Sequence, residues 1–242
     1  MRKRLIAAGL GLRLTSIWAA GIILLTSAVQ VWLFLRTEYL WSDMADNWNI
    51  QSFEWVLDEE GIALVGKLSF VLLLGAVVLP CASVRNRNAY TLRRLRIGEN
   101  QVTAIWALIF SGYFLISWAV QLGVVLWMAS CYARVAGMGV MDLFVAAYRS
   151  TYFHTLLPLA EIWGYVRNGV ICLSWGAMGS LIARYVRHGG KSFLAVGMVV
   201  LTGWLLPTDM ATAGNDIMLS VLLLAMVGLQ IYLMVGGGAN ED

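Results

Sequence analysis

The sequence predicts an all-α, polytopic membrane protein with six transmembrane helices and both termini in the cytoplasm. Three observations predict this fold: the composition, the length of the runs without charge, and the placement of Lys and Arg. Hydrophobic residues make up 60% of the 242 residues and charged residues only 13%, whereas soluble domains carry about 25% charged residues. So much apolar surface requires a lipid environment.

The charged residues fall in clusters, and the runs between them have the length of membrane-crossing helices. A run of about 18 or more apolar residues is a transmembrane candidate. Extended by apolar neighbours where they are short, the runs predict a single domain, 1–242, with spans near 14–36, 62–84, 101–133, 163–184, 191–208 and 216–236. The third run exceeds one bilayer crossing, so we expect that helix to tilt or to project beyond the membrane.

The basic residues are concentrated in alternate segments between the spans. With the N-terminus inside, the cytoplasmic segments hold 12 of the 17 Lys and Arg residues: Arg2, Lys3, Arg4, Arg13, Arg85, Arg87, Arg93, Arg94, Arg96, Arg184, Arg187 and Lys191. Cytoplasmic loops of membrane proteins carry such an excess. The pattern therefore predicts cytoplasmic termini and a multi-pass protein of the inner (plasma) membrane.

The two longer outer segments have local patterns of their own. In the first, apolar residues recur at helical spacing in two groups: Trp41, Met44 and Trp48, then Phe53, Val56 and Leu57. This spacing favours two short helices anchored at the outer leaflet over a substrate lid. In the second outer segment, Pro158 is expected to interrupt any helix.

The start of the second span contains a fragment of a nucleotide-binding motif. Gly61, Gly66 and Lys67 have the spacing of a phosphate-binding loop, with Leu68 in place of the final Ser or Thr. Such a loop requires a preceding strand, but the carboxylates of residues 58–60 occupy that position and would repel a polyphosphate. We therefore expect no nucleotide here.

The sequence offers no catalytic and no metal-ligating set of residues. Cys81, Cys131 and Cys172 lie in or at the ends of three different helices, without the paired spacing of a metal site or a disulfide framework. An intramembrane enzyme needs convergent titratable groups at depth, and the spans contain no His and no clearly deep acidic residue. An enzyme is therefore the least favoured class of function.

The loop at 85–100 between the second and third spans is rich in Arg. Its apolar residues alternate with Arg93, Arg94 and Arg96 after a candidate helix cap at Asn88. One interpretation is a topology anchor. The other is a short amphipathic helix that lies on lipid or docks into a groove of a soluble partner.

The order of elements, with the run AYTLRRLRIGENQVTAIWALI at 89–109, resembles the transmembrane permease subunit of a bacterial ATP-binding-cassette exporter of the type-2 fold. The resemblance implies that this loop is the coupling helix for a separate ATP-binding subunit, with contacts from Tyr90, Leu92, Arg93, Arg94, Leu95 and Arg96. It also implies that ATP and Mg²⁺ are held by that partner subunit and that this chain binds no cofactor and is not an enzyme.

The polar residues within the spans are few. Gln30, Ser111, Ser117, Gln121 and Gln230 are candidates for lining a translocation path. Hydroxyls and amides also hold membrane helices together, and helix packing is the favoured interpretation. Gly176 and Ser180, with the spacing of two small residues four apart, predict a close helix contact.

The cargo is predicted only by class. Walls rich in Trp and poor in charge suit an amphipathic, lipid-like or peptide substrate better than an ion or a sugar. Six helices are too few to enclose a path, so we expect a second permease subunit, in a homodimer or a heterodimer, surrounded by lipid and without nucleic acid. The alternative function is the substrate-binding membrane subunit of a vitamin-type importer; the basic loop favours the exporter.

Overall fold

The computed structural model describes residues 2–44, 52–82, 97–136, 139–158, 162–188, 197 and 213–237. The helices in these ranges are α1 (Arg2–Met44), α2 (Phe53–Asp58), α3 (Ile62–Ala82), α4 (Glu99–Ala136), α5 (Val140–Arg149), α6 (Thr151–Leu156), α7 (Ile162–Arg187) and α8 (Ala213–Gly237). The predicted span 191–208, apart from Gly197, and residues 85–96 of the predicted docking loop lie outside the described residues.

Five stretches of the described residues are long and apolar enough to cross a membrane: Lys3–Thr37, Phe53–Ala82, Glu99–Arg134, Ile162–Arg187 and Gly214–Tyr232. They coincide with five of the six predicted spans and confirm the prediction of an all-α chain with several membrane-spanning helices. Helices α1 and α4 are longer than their predicted spans, because helical hydrogen bonding continues beyond the run that lipid requires to be apolar.

Helices α1 and α4 run parallel. Trp106 Nε1 of α4 donates a hydrogen bond to the Ala7 carbonyl oxygen near the start of α1 (3.3 Å). Much further along both helices, the rings of Phe34 and Trp127 contact each other with centroids 6.2 Å apart. Helix α3 runs the opposite way, since its first residue, Ile62, accepts a hydrogen bond from Gln30 late in α1.

Helix α7 is antiparallel to α4 and parallel to α8. Arg187 at the end of α7 lies over Trp106 near the start of α4, and Arg167 near the start of α7 pairs with Asp216 near the start of α8. The described helices thus define two ends of one bundle. We call the end with Arg187 the basic end and the opposite end, which carries α2 and α6, the cap end.

The centre of the bundle is held by close contact between α4 and α7. A Cβ atom at Gly176 would overlap the side chain and backbone of Ser111, so only glycine allows the two backbones to approach this closely. Beside this contact, the rings of Phe70, Phe114 and Trp175 pack with centroids 5.5 to 5.9 Å apart. The close helix contact predicted at Gly176 is confirmed.

The short helices α2 and α6 close the cap end. Phe53, Val56 and Leu57 form the buried face of α2 and pack in one apolar cluster with Tyr132 of α4. The predicted helical spacing of these three residues is confirmed, but their side chains face protein rather than lipid. Pro158 follows the end of α6, as expected from its missing amide hydrogen.

Helix α5 carries an apolar stripe that the other described residues leave uncovered. Met141, Phe144, Val145 and Tyr148 are each about half exposed or more, and their spacing places them on one side of the helix. This pattern is typical of a helix lying in the membrane interface.

The phosphate-loop fragment has a structural explanation. Gly61 adopts a φ of +82°, a conformation that glycine adopts readily, and α3 begins at the next residue. No strand precedes Gly61 in the described range 52–60, where α2 lies. Gly66 provides space for Tyr152, since a Cβ atom there would overlap the phenol ring.

Candidate functional site

A buried hydrogen-bond network centred on Tyr152 lies at the cap end. Gln30 Nε2 donates to the Ile62 carbonyl oxygen (3.2 Å) and to the Tyr152 hydroxyl (3.0 Å). The Tyr152 hydroxyl donates to Gln121 Oε1 (3.1 Å), and Gln121 Nε2 donates to the Gly66 carbonyl oxygen (3.2 Å) and to Ser69. The network therefore links α1, α3, α4 and α6.

The environment of Tyr152 keeps its hydroxyl protonated. Burial raises the pKa of Tyr152 above its ordinary value, and the hydrogen bond with Gln30 opposes this rise only in part. A neutral phenol is the form that donates to Gln121. Both glutamine amides and the phenol thus act as a set of uncharged groups, which suits a site closed to water.

Asp58 of α2 fixes the start of α6 above this network. Its carboxylate accepts hydrogen bonds from the Thr151 amide (3.0 Å), the Tyr152 amide (3.2 Å) and the Ser150 hydroxyl (3.3 Å). Negative charge at the first turn of a helix satisfies free amide groups and the helix dipole. The two short helices of the cap are therefore joined to each other and, through Tyr152, to the bundle.

A small cavity of about 30 Å³ lies beside Tyr152. Lys67, Gln121, Thr155 and Asn168 contribute polar side chains to its wall, and Trp118 contributes an indole. A cavity of this volume holds about two water molecules. It is too small for a drug-sized ligand, which occupies about 300 Å³ or more.

A buried ion pair joins α7 to α8 near the same end. Arg167 Nη1 donates to Asp216 Oδ1 at 2.8 Å, and both residues are buried. The same guanidinium also contacts Asn168 Oδ1 at 3.4 Å, while Asn168 Nδ2 donates to the Thr155 carbonyl oxygen at 2.8 Å. The sequence placed Arg167 and Asp216 near the outer ends of the predicted spans 163–184 and 216–236 but did not indicate that they pair. The two side chains neutralise each other inside the bundle.

The basic end holds a cluster of charges around Glu99, the first residue of α4. Glu99 Oε1 lies 2.7 Å from His188 Nε2 and 3.9 Å from Arg187 Nη2. Glu99 Oε2 lies 3.9 Å from Arg184 Nε. The carboxylate therefore contacts one basic side chain closely and two at a distance longer than a hydrogen bond.

Two of the cations in this cluster have further contacts. Arg184 donates a hydrogen bond to Asn100 Oδ1. The Arg187 guanidinium lies 4.9 Å from the centroid of the Trp106 ring, within the range of a cation–π interaction. Since Trp106 also bonds to Ala7, the cluster connects the start of α4 to the end of α7 and to α1.

A second cleft, of about 130 Å³, opens beside this cluster between α4, α7 and α8. Its polar lining consists of Asn100, Thr103, Ser180 and Arg184, and its apolar lining includes Ala177 and Ile231. It is larger than the cap-end cavity and lies at the opposite end of the bundle.

The structure brings some of the predicted path residues together and separates others. Gln30 and Gln121 meet through Tyr152. Ser111 donates to the Ala107 and Leu173 carbonyl oxygens (2.8 and 3.3 Å) at the Gly176 contact, and Ser117 is buried elsewhere on α4. Gln230 is also buried, and its amide has no hydrogen-bond partner among the described residues. Whether any of them contacts a transported molecule stays a prediction.

The predicted ATPase-docking residues lie outside the described residues: Tyr90, Leu92, Arg93, Arg94, Leu95 and Arg96. Glu99 and Asn100, at the end of the predicted loop, belong instead to the first turn of α4. In the described part of the chain, no group of three or more His, Cys, Asp or Glu residues could hold a metal ion.

The sequence did not indicate that Tyr152 and the Glu99 cluster each connect several helices. Tyr152 stands in an outer segment among other aromatic residues, and nothing near it in the sequence indicates a buried partner. Glu99 carried a usable signal, because it is the single acid in a strongly basic loop. Its partners lie about 85 to 89 positions further along the chain, and only the packing of the helices brings them close to Glu99.

Comparison with known proteins adds no relative, since no family model, curated protein or solved structure matches this chain. The class that the fold itself defines is a multi-pass, all-helical membrane protein.

Proposed function

We propose that this chain is the membrane-spanning permease subunit of an ATP-binding-cassette exporter of the inner membrane, with six spans and cytoplasmic termini. The observation that carries the proposal is the position of Glu99. The Arg-rich loop leads directly into Glu99, and Glu99 contacts the end of α7 through Arg184, Arg187 and His188. A displacement of the loop by a docked ATPase would therefore act on two membrane helices at once.

The directions of α7 and α8 support a sixth span. Helix α7 ends at the basic end, whereas α8 begins at the cap end, where Asp216 meets Arg167. Residues 189–212 must therefore connect opposite ends of the bundle. At 1.5 Å per residue they are long enough to cross a hydrocarbon core of about 30 Å as a helix.

The distribution of basic residues supports cytoplasmic termini. The cytoplasmic side of a membrane protein carries the excess of Lys and Arg, and the basic end contains the start of α1 with Lys3 and Arg4, the end of α7, and both attachments of the Arg-rich loop. We therefore place the basic end in the cytoplasm and the cap end outside.

The volumes of the two clefts support a path shared between subunits. Volumes of about 30 and 130 Å³ lie below the range of about 300 to 1,000 Å³ typical of ligand sites, so neither cleft alone encloses an amphipathic cargo. We propose a dimer of permease subunits, homomeric or with a similar partner, and an amphipathic, lipid-like or peptide cargo. The vitamin-type importer subunit is less favoured, because it would require an enclosed, ligand-sized cavity within one chain. The apolar depression of about 300 Å³ between α1 and α4, lined by Val31, Val120, Gly123, Val124 and Trp127, is open to the surface.

The test is purification of the tagged chain from its native membranes, followed by identification of co-purified polypeptides and measurement of ATP hydrolysis. We expect a companion subunit with a complete phosphate-binding loop and ATPase activity in the purified complex. The variant Leu92→Ala, Arg94→Ala, Leu95→Ala is expected to insert normally and to lose both the companion and the activity.

A matched control removes the same side-chain types from the exposed face of α4: Leu115→Ala, Leu126→Ala and Arg134→Ala. This control is expected to retain the companion subunit. If the loop variant retains a fully active ATPase, the loop is a topology anchor only and the exporter proposal loses its support.

A further inference from the structure

The cleft at the basic end combines a cation, neutral polar groups and an opening along α8. The guanidinium of Arg184 forms one part of the lining, and Asn100, Thr103 and Ser180 add an amide and two hydroxyls. Thr103 and Ser180 donate their hydroxyl hydrogens to carbonyl oxygens of their own helices, Glu99 and Ala177. Arg184 is therefore the charged donor of the cleft.

Positive charge is in excess around this cleft. Arg184 and Arg187 share one carboxylate, Glu99, whose oxygens lie 3.9 Å from each guanidinium. The short contact of Glu99, at 2.7 Å, is with His188. Because one carboxylate serves two guanidinium groups, the cluster keeps a net positive charge even when His188 is neutral.

The size and surroundings of the cleft suit a headgroup with an attached chain. Its volume of about 130 Å³ exceeds the 10–15 Å³ or so needed for one water-sized group. On one side it is bounded by Ile231, which is 50% exposed, and Leu224, two turns earlier on the same face of α8, is also exposed. An acyl chain can lie along this apolar surface of α8 while the headgroup faces Arg184.

We propose that this cleft binds the phosphodiester of an anionic phospholipid, with Arg184 as the main phosphate-binding residue. Basic pockets between transmembrane helices on the cytoplasmic side bind anionic headgroups, and guanidinium groups form paired hydrogen bonds to phosphate oxygens. The site requires only residues of this chain and does not depend on a docked ATPase. A lipid held between α4, α7 and α8 would stabilise one arrangement of the ends of these helices.

The experiment is native mass spectrometry of the detergent-purified full chain, titrated with phosphatidylglycerol and, separately, with phosphatidylcholine. We expect saturable binding of phosphatidylglycerol at least about tenfold tighter than that of phosphatidylcholine. Arg184→Gln should weaken the binding of phosphatidylglycerol about tenfold, which corresponds to the loss of one charge-assisted contact. Arg184→Lys, which retains the charge, should weaken it less.

Two further variants separate the cleft from general surface charge. Ala177→Leu fills the cleft without changing charge and should also weaken binding of phosphatidylglycerol, while Arg134→Gln, at the far end of α4, should leave it unchanged. Thermal unfolding of each variant in the same detergent identifies any that fail to fold, and the remaining variants then decide the outcome.

Equal binding of phosphatidylglycerol by the wild type, Arg184→Gln and Ala177→Leu overturns the proposal. An added arm titrates inorganic phosphate without lipid. If phosphate alone protects the wild type against thermal unfolding as strongly as phosphatidylglycerol does, the ligand is a free anion and the assignment to lipid is wrong.

Discussion

The two ends of the bundle hold their polar groups in different ways. At the cap end, the buried polar groups pair at hydrogen-bond distance: Tyr152 joins two glutamines at 3.0 and 3.1 Å, and Arg167 has one carboxylate partner at 2.8 Å. Gln30 Oε1 is the exception in this network, since it has no partner among the described residues. At the basic end, one carboxylate, Glu99, serves two guanidinium groups at 3.9 Å each, and a cleft of about 130 Å³ lies beside them. The short contacts at this end, Glu99 with His188 and Arg184 with Asn100, are exposed to solvent.

This difference indicates which end of the bundle can change its arrangement. Short hydrogen bonds between buried groups are costly to break without replacement. Longer ionic contacts near the surface contribute little and are exchanged easily. The cap end is therefore expected to remain fixed, while the basic end, next to the Arg-rich loop, is expected to respond to ligands and partners.

The largest effect is expected from Asp216→Ala, which leaves the buried Arg167 without its partner. Removing one member of a buried ion pair costs about 3–5 kcal/mol. The measurement is the free energy of unfolding in mixed detergent micelles. The control is the double variant Arg167→Met, Asp216→Leu, which should recover most of the loss because it leaves no charge behind. A single-variant loss below about 1 kcal/mol would mean that water reaches the pair.

A smaller loss is expected from Tyr152→Phe. The substitution deprives Gln121 Oε1 of its donor and Gln30 Nε2 of one acceptor, which costs about 1–3 kcal/mol for the buried groups left unpaired. The same unfolding measurement applies. Tyr148→Phe is the matched control, since Tyr148 is 51% exposed, and it should change stability by no more than about 0.5 kcal/mol. If both variants lowered the free energy of unfolding by the same amount, the cap end would be no more fixed than an exposed surface.

The smallest effect is expected from Glu99→Gln at the basic end. The Glu99 side chain is 37% exposed, its guanidinium contacts are long, and its short contact is with His188, whose side chain is 60% exposed. The loss of stability should therefore stay below about 1 kcal/mol. The loss should shrink further in about 1 M salt, where the screening length falls to about 3 Å. A loss as large as that of Tyr152→Phe, and insensitive to salt, would show that the basic end is as fixed as the cap.

The sequence was sufficient to predict the two helices that meet at Gly176 and a close helix contact at that residue, but not which helix supplies the contact. Runs without charge indicate contact with lipid, and small residues four positions apart indicate the close approach of two helices. Both signals are local in sequence. The start of α4 at Glu99 was not predicted, because a charged residue ends an apolar run without ending a helix.

The pairing of Arg167 with Asp216 and the role of Tyr152 could not be predicted for a physical reason. Each depends on how one helix is rotated against another, and that rotation follows from packing of the whole bundle rather than from the nearby sequence. Runs without charge place Arg167 and Asp216 near the outer ends of two separate spans. They do not indicate that the two charges neutralise each other in the interior.

The most direct test of the contrast between the two ends is hydrogen–deuterium exchange of the proposed complex with an ATP-binding subunit, with and without a non-hydrolysable ATP analogue. We expect altered exchange in peptides covering residues 97–107 and 181–188 at the basic end, together with unchanged exchange in peptides covering 53–58 and 151–157 at the cap end. Nucleotide-dependent exchange confined to the cap peptides, with the basic-end peptides unchanged, would contradict this expectation.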